Sequence, residues 1–453
     1  MTVDLTDLPP RCFQGVAPAV VATCSVDGVP NVTYVSQLHY LDPRRVAMSC
    51  QFFNKTRQNI DANPFASVQL YDPLTFDAYE LDLRFDHAEP NGPLFDEMSM
   101  RIQAIASHTG MKGVFRLLSA DVYEVLSVRK VEGFGGEEVD LTPFRHAGPP
   151  MGELRALQLV SGTLARAADL DDLVTSLLAS LEDAMGFQHS MLLVPDESRA
   201  RLFTLASRGY GESGVGAEVA LGEGLVGVVA KERRILRLSD VERDLRYGRT
   251  VRNEVEVSSE RTVTPEIPLP GLASAQSHLG VPLVVHERLV GVLAVESPRP
   301  LAFDEWHEAF LNVIANQAAL ALDRMMDDDS PAEVPHAPPS AVAPPSRKTR
   351  TFRFFKADDS VFVDDEYLIR NVAARILWRV LSANAADRRT EFTNRELRLD
   401  PWLGLPPVKD NLESRIILLR KRLEQKCPDV RIPSCSRGHF RLEADCAIAL
   451  VEV

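Results

Sequence analysis

The densest cluster of chemically useful side chains in this sequence is SCQFFNKTRQN, residues 49–59. There Ser49, Lys55, Thr56 and Arg57 bring two hydroxyls and two cations to the start of a predicted helix. The first N–H groups of a helix have no intrahelical partner and sit at the positive end of its dipole, so this position attracts an anion. Lysine, threonine and arginine add charge-assisted donors suited to a phosphate. The plainer alternative is that Lys55 and Arg57 only solvate the helix end. A second basic group, Lys409, Arg415, Arg420, Lys421, Arg422 and Lys426, follows a predicted helix over 408–425, with Arg437 in a turn between two later strands. His189 and His278 fall at predicted strand starts, where they would suit a metal or haem; a core or edge histidine is the plainer reading. Six cysteines, at 12, 24, 50, 427, 435 and 446, show neither a CxxC pair nor zinc-ligand spacing. For Cys24 and Cys50, on strands of one predicted barrel, a redox role competes with that of small buried hydrophobes.

Positioning the first cluster requires a barrel. Residues 19–25 (AVVATCS) and 29–36 (VPNVTYVS) are β-branched runs joined through Asp27-Gly28, a strong hairpin signal. Further strands at 46–51, 66–71, 79–87 and 120–128, with short helices near 56–63 and 94–109, predict an antiparallel barrel. The stretch from about 19 to 131 resembles the FMN-binding split barrel of the pyridoxamine phosphate oxidase family, carried above all by SCQFFNKTRQNIDANP. The resemblance implies that Ser49, Lys55 and Thr56, with Arg57 beside them, hold the FMN phosphate. It implies too that the preceding strands, with Asn31 and Tyr34, flank the isoalloxazine ring. The same fold admits deazaflavin and haem. The oxidases that make pyridoxal phosphate end in a basic, histidine-containing tail, whereas here the barrel runs into an acidic linker, so vitamin synthesis is not expected.

Residues 152–326 present helical patterns around 154–164 and 173–184, strands at 190–195 and 202–208, and then five segments in order: GEGLVGVVA, a short strand ending in Asp240, SHLGVPLVV, LVGVLAVES and FDEWHEAFLNVIANQAALALDR. Together they resemble a GAF domain. Such a domain encloses a small pocket under covering loops, and the long polar segment 241–276 reads as a lid. No cyclic-nucleotide motif and no bilin cysteine is evident, leaving an unidentified small ligand or a purely dimerising module. Trp306, Phe310, Val313, Gln317, Leu320 and Arg324 alternate at spacings of four and three on the last helix, a seam that pairs helices. A homodimer through the GAF-flanking helices is therefore expected.

The basic cluster lies after a proline-rich run, DDDSPAEVPHAPPSAVAPPSRKTR. From Arg347 onward there are 21 Lys and Arg against 16 Asp and Glu, a formal +5, which leaves −19 of the −14 total for the residues before it. Three strand-like runs (352–355, 361–363, 366–370) precede a helix opening at Asn371, a helical segment at 392–397 and the basic helix, and strands at 430–433 and 439–443 close the region. This order, with RIILLRKRL and RGHFRL, resembles the winged-helix output domain of response-regulator transcription factors. By position, Arg415, Arg420 and Arg422 would meet DNA and Arg437 would act from the wing. Ile417 and Leu418 depart from that family's polar pattern, which keeps a partner-protein role open.

The expected fold class is thus multidomain α/β and β: an antiparallel split β-barrel (10–132), a linker (133–151), a GAF α/β domain (152–326), a disordered proline-rich linker (327–350) and a C-terminal winged helix (351–453). The N-terminus carries acids where a secretory signal carries bases, and no apolar run suits a membrane, so a cytoplasmic protein is expected. The functions in view are a one-component transcriptional regulator sensing flavin redox state or a small ligand, an FMN-dependent oxidoreductase with a regulatory GAF domain, and a signalling adaptor with a degenerate winged helix.

Overall fold

The computed structural model describes residues 4–50, 55–108, 116–132, 152–196, 199–210, 214–241, 271–272, 275–327, 348–405, 412–436 and 438–453. Outside them lie Arg437, the linker over 133–151, most of the expected lid, the proline-rich run over 328–347 and the expected start of the basic helix over 408–411. The chain divides into two compact units. The first is Met1–Pro150 with Val219–Pro282 and Ala294–Asn312; the second is Met151–Glu218 with Leu283–Leu293 and Val313–Val453.

Two 3₁₀ turns, Leu5–Asp7 and Pro10–Phe13, lead into β1 (Ala19–Cys24), β2 (Pro30–Val35), β3 (Leu38–Asp42), β4 (Arg45–Cys50) and α1 (Lys55–Ala62). They are followed by β5 (Phe65–Tyr71), β6 (Ala78–Glu89), α2 (Pro93–His108) and β7 (Ser119–Lys130). The strands form one sheet of order β2-β1-β5-β6-β7-β4-β3, antiparallel at every pairing. Gly28, at φ +80°, supplies the left-handed residue of the β1–β2 turn, and its N–H donates to the Ser25 carbonyl at 3.0 Å. Strand β3 was not expected from the sequence. Inside, Val21, Val46, Val68, Leu81 and Leu83 pack with Leu5, Leu8 and Phe13 of the N-terminal turns. Arg11 clamps those turns to the barrel: its Nε and Nη2 donate to the Asp72 carboxylate at 2.7 and 2.5 Å. Burial alone would raise the Asp72 carboxyl, but the Arg11 bonds and the N–H groups of Leu74 and Thr75 hold it below the ordinary value.

Next come α3 (Glu153–Arg166), α4 (Leu170–Met185), β8 (His189–Asp196), β9 (Arg201–Arg208), β10 (Glu218–Ala220), α5 (Gly224–Glu232), β11 (Leu236–Leu238), β12 (Ser277–Val285), β13 (Arg288–Ser297) and α6 (Glu305–Asp327). Their sheet runs β10-β9-β8-β13-β12-β11. Helix α4 starts at a capping Asp169, whose side chain accepts from the Asp172 N–H, and stops at Gly186 with φ +71°. In the first unit, Ser107 at the end of α2 accepts the Gly224 N–H at 2.9 Å, so a barrel helix caps the first turn of α5.

The C-terminal region holds β14 (Thr349–Phe355), β15 (Ser360–Val363), β16 (Glu366–Arg370), α7 (Asn371–Asp387), β17 (Glu391–Thr393), α8 (Asn394–Leu399) and α9 (Leu412–Lys426). It ends with β18 (Val430–Arg431), β19 (Ser434–Ser436), β20 (His439–Arg441), β21 (Glu443–Ala444) and β22 (Ala447–Glu452). Strands β16-β15-β14-β22 form one sheet in which β22 runs parallel to β14; β17-β20-β19 and β18-β21 form two smaller ones. The helical segment expected over 392–397 needs correcting at its start. Phe392 belongs to β17, stacked on Phe440 of β20 at 5.7 Å, and the helix begins two residues later at Asn394, where the Thr393 hydroxyl accepts the Glu396 N–H. No helix among the described residues is long and apolar enough to cross a membrane.

Candidate functional site

Helix α1 and strands β2, β4 and β7 meet around a cavity of about 90 Å³, lined in part by Tyr34, Ser49, Thr56, Arg57 and Asp121. Four of the six residues singled out in the barrel therefore face one space. Asn31 is tied to it, its Nδ2 donating to Thr56 Oγ1 at 2.9 Å. Lys55 is exposed and is not part of the lining. Asp121, absent from the sequence reading, answers Arg57: Nη1 lies 2.8 Å from its carboxylate, which also accepts from Ser119 Oγ at 2.6 Å. Burial would depress the Arg57 guanidinium, but Asp121 outweighs burial and keeps its pKa raised. No local spacing reveals Asp121. It arrives through the β4–β7 register, which sets Ser49 opposite Ala120.

Cys50 lines the same cavity. Burial first, and then Asp121, push its thiol pKa up, which disfavours the thiolate a redox role needs. Burial likewise raises the Tyr123 phenol.

These residues fit the phosphate end of a flavin nucleotide. A cavity of about 90 Å³ corresponds to roughly three waters at ~30 Å³ each, the scale of a phosphoryl group and not of a tricyclic ring. Ser49, Thr56 and Arg57 would hold that group, with Asn31 fixing Thr56. When bound, flavin supplies electron-transfer chemistry. Arg57 and Asp121 cancel in formal charge, so for such a group the hydroxyl donors would carry more of the recognition than charge would. On β2, Val32 and Tyr34 stand 63% and 69% exposed, an apolar strip on the strand whose Thr33 and Val35 line the cavity.

The basic residues of α9 are placed very differently from an open face. Within the second unit, Arg415 is buried and lies 3.4 Å from Asp196 at the end of β8. Arg420 and Lys421 flank Asp171 in the first turn of α4 at 3.5 and 3.2 Å. Arg422 donates from Nε to the Leu368 carbonyl at 2.9 Å and lies over the Tyr367 ring at 6.0 Å. Ile417 and Leu418, the apolar departures from a DNA-reading pattern, are buried.

The histidines do not meet in a metal site: among the described residues no group of three or more His, Cys, Asp or Glu could hold an ion. His278 is fully buried, with Nδ1 3.5 Å from Glu296, and His189 packs edge-on to Tyr210.

Two family models match the chain, that of the GAF domain over residues 167–323 and that of pyridoxamine 5'-phosphate oxidase over residues 11–128. No curated protein matches it. Among solved structures, the GAF domain of an Acinetobacter phosphoenolpyruvate-protein phosphotransferase is similar at 25% identity, covering 38% of this chain and 92% of that one, with a TM-score of 0.29. Free methionine-R-sulfoxide reductase from Neisseria meningitidis, in complex with its substrate, shares 18% identity over 38% and 87%, with a TM-score of 0.30. An FMN-binding protein from Syntrophomonas wolfei shares 14% over 27% and 82%, with a TM-score of 0.23. The chain joins a pyridoxamine 5'-phosphate oxidase-like split barrel to a GAF domain, followed by a region of mixed α and β structure.

Proposed function

We propose that the chain is a cytoplasmic, one-component regulator in which the flavin state of the barrel and a ligand of the GAF domain control DNA binding by a winged helix at the C-terminal end. The observation that carries this reading is the pairing of Arg415, Arg420 and Lys421 with carboxylates of the GAF segments. Those bases are the ones a recognition helix would present to phosphates, so in this arrangement the DNA-facing charge is neutralised and DNA binding requires its release. The capping of α5 by Ser107 gives the barrel a route to the GAF segments. Burial of Ile417 and Leu418 counts against an adaptor that docks partners through them. Leu154, Leu159, Val313 and Leu320 remain exposed on α3 and α6 and support a homodimer through these helices.

The test is fluorescence anisotropy of the purified full chain with duplex DNA, at several salt concentrations and with flavin oxidised or reduced, alongside an absorbance spectrum of the protein. Flavin bands and a DNA affinity that changes with redox state are expected. Sequence-independent failure to bind DNA in every cofactor state would remove the regulator reading.

A further inference from the structure

A second cavity, of about 240 Å³, lies wholly within the second unit, where the β9–β10 end of the GAF segments faces β16, the start of α7 and helix α9. Its described lining includes five guanidinium groups, Arg199, Arg201, Arg370, Arg415 and Arg422, against two carboxylates, Asp196 and Glu218. An excess of three positive charges around one cavity, in a chain of formal charge −14, marks a local preference for anions. Beside Asn371, much of the remaining lining is apolar, with Val215 and Leu418 at its wall and the Tyr367 ring at its edge.

The cations are already oriented. Arg422 is fixed by the Leu368 carbonyl and stacked over Tyr367. Glu218 acts as an internal stand-in for an anion: it accepts from Arg370 Nη2 at 2.6 Å and Asn371 Nδ2 at 2.9 Å, and lies 3.8 Å from Arg201. Asn371 is held there at φ +67°, a left-handed conformation that asparagine tolerates better than most residues. The volume corresponds to about eight waters at roughly 30 Å³ each, room for a single ring or a short acyl chain with a charged head and not for a dinucleotide.

We infer that this cavity binds a small organic phosphomonoester with an apolar ring or tail. The phosphate takes Arg201 and Arg370 over from Glu218 and adds Arg422, while the apolar part lies against Val215, Leu418 and the Tyr367 ring. This is a different place from the barrel cavity and does not depend on whether the C-terminal region reads DNA.

The experiment is isothermal titration of the full chain with phenyl phosphate, with phenol as the uncharged analogue. Phenyl phosphate is expected to bind saturably and phenol not. Arg201→Gln and Arg370→Gln should each weaken phenyl phosphate by about tenfold or more, the effect of losing one charge-assisted hydrogen bond. The Arg201 side chain is 43% exposed and its ion pair with Glu218 is long at 3.8 Å, so this variant keeps the fold, which its unliganded melting temperature verifies. Three results overturn the assignment: no saturable binding of phenyl phosphate, phenol binding equally well, or binding that survives Arg201→Gln and is lost in Arg57→Gln, which would put the anion in the barrel.

Discussion

Asp171→Asn removes the one carboxylate that faces both Arg420 and Lys421. The separations are 3.5 and 3.2 Å, and the Asp171 side chain is 29% exposed. At an effective dielectric constant of about 20 the gross attraction is roughly 5 kcal/mol per pair, but desolvation and side-chain ordering offset most of it. Partly exposed pairs retain about 0.2–1 kcal/mol each. Together the two pairs favour docking of α9 on α4 by about 0.4–2 kcal/mol, a factor of roughly 2–30 in the docked-to-released ratio. If only the released state binds DNA, the apparent Kd of Asp171→Asn falls by that factor. The assay is DNA anisotropy at one fixed ionic strength, since counterion release makes affinity steeply salt-dependent. Asp172→Asn is the control. It changes the net charge equally, but its carboxylate accepts from the Ala168 N–H and the Ser176 hydroxyl and pairs with no base of α9. Equal DNA affinity for the two variants would refute the idea that Asp171 restrains the helix.

In the barrel, Asp121→Asn removes a negative charge from the cavity proposed to take the FMN phosphate and should tighten FMN by about fivefold, roughly 1 kcal/mol, in a flavin fluorescence titration; weaker binding would mean that Asp121 serves chiefly to orient Arg57. Asp72→Asn should cost about 3 kcal/mol through the charge-assisted bonds from Arg11, seen as a lower melting temperature. Because the folded Asp72 pKa is depressed, its stabilisation is complete above the ordinary carboxyl value near ~3.9 and is lost as pH falls through the lower folded value, so wild type and variant should converge in acid. Gly227→Ala drives a methyl group into the Ala220 carbonyl oxygen and should cost about 1–3 kcal/mol in thermal melts. Leu320→Glu places a charge on the part of the expected α6 seam that is exposed, Phe310 of that seam being buried, and should shift sedimentation toward monomer without lowering the melting temperature of the monomer.

What the sequence disclosed followed the range of the forces involved. Whereas the caps of α4 at Asp169 and Gly186 were not read and the helix starts earlier than the pattern around 173–184, the Asp27-Gly28 hairpin is decided by neighbours a few residues apart, and it stands where local chemistry puts it. The family segments of the GAF domain were legible for the same reason. Asp121 was not, because 64 residues separate it from Arg57 and only strand register brings them together. Strand β3 escaped notice because it is five residues long and irregular between Tyr40 and Asp42, too short for alternation to stand out. Helix α9 carried its own warning. Ile416, Ile417, Leu418 and Leu419 run consecutively and cover every side of the helix, which is the pattern of a buried element and not of one with a free face. Counting bases along it led to the expectation of a DNA-facing surface, and the apolar residues between them said how little of it is open. The strand β22 was invisible because its partner, β14, lies on the far side of the whole C-terminal region.

That parallel pairing of Thr349–Phe354 with Ala447–Glu452 also sets an order of events during synthesis. About 100 residues separate the two strands, so at roughly 5–20 residues per second the ribosome takes some 5–20 s to deliver the second after the first. Until then β14, with the sequence TRTFRFF, has β15 on one side and an open row of N–H and C=O groups on the other. The nascent chain thus carries a sticky template for several seconds, and Arg350 and Arg353, which flank Phe352 at either side, act as gatekeepers through that wait.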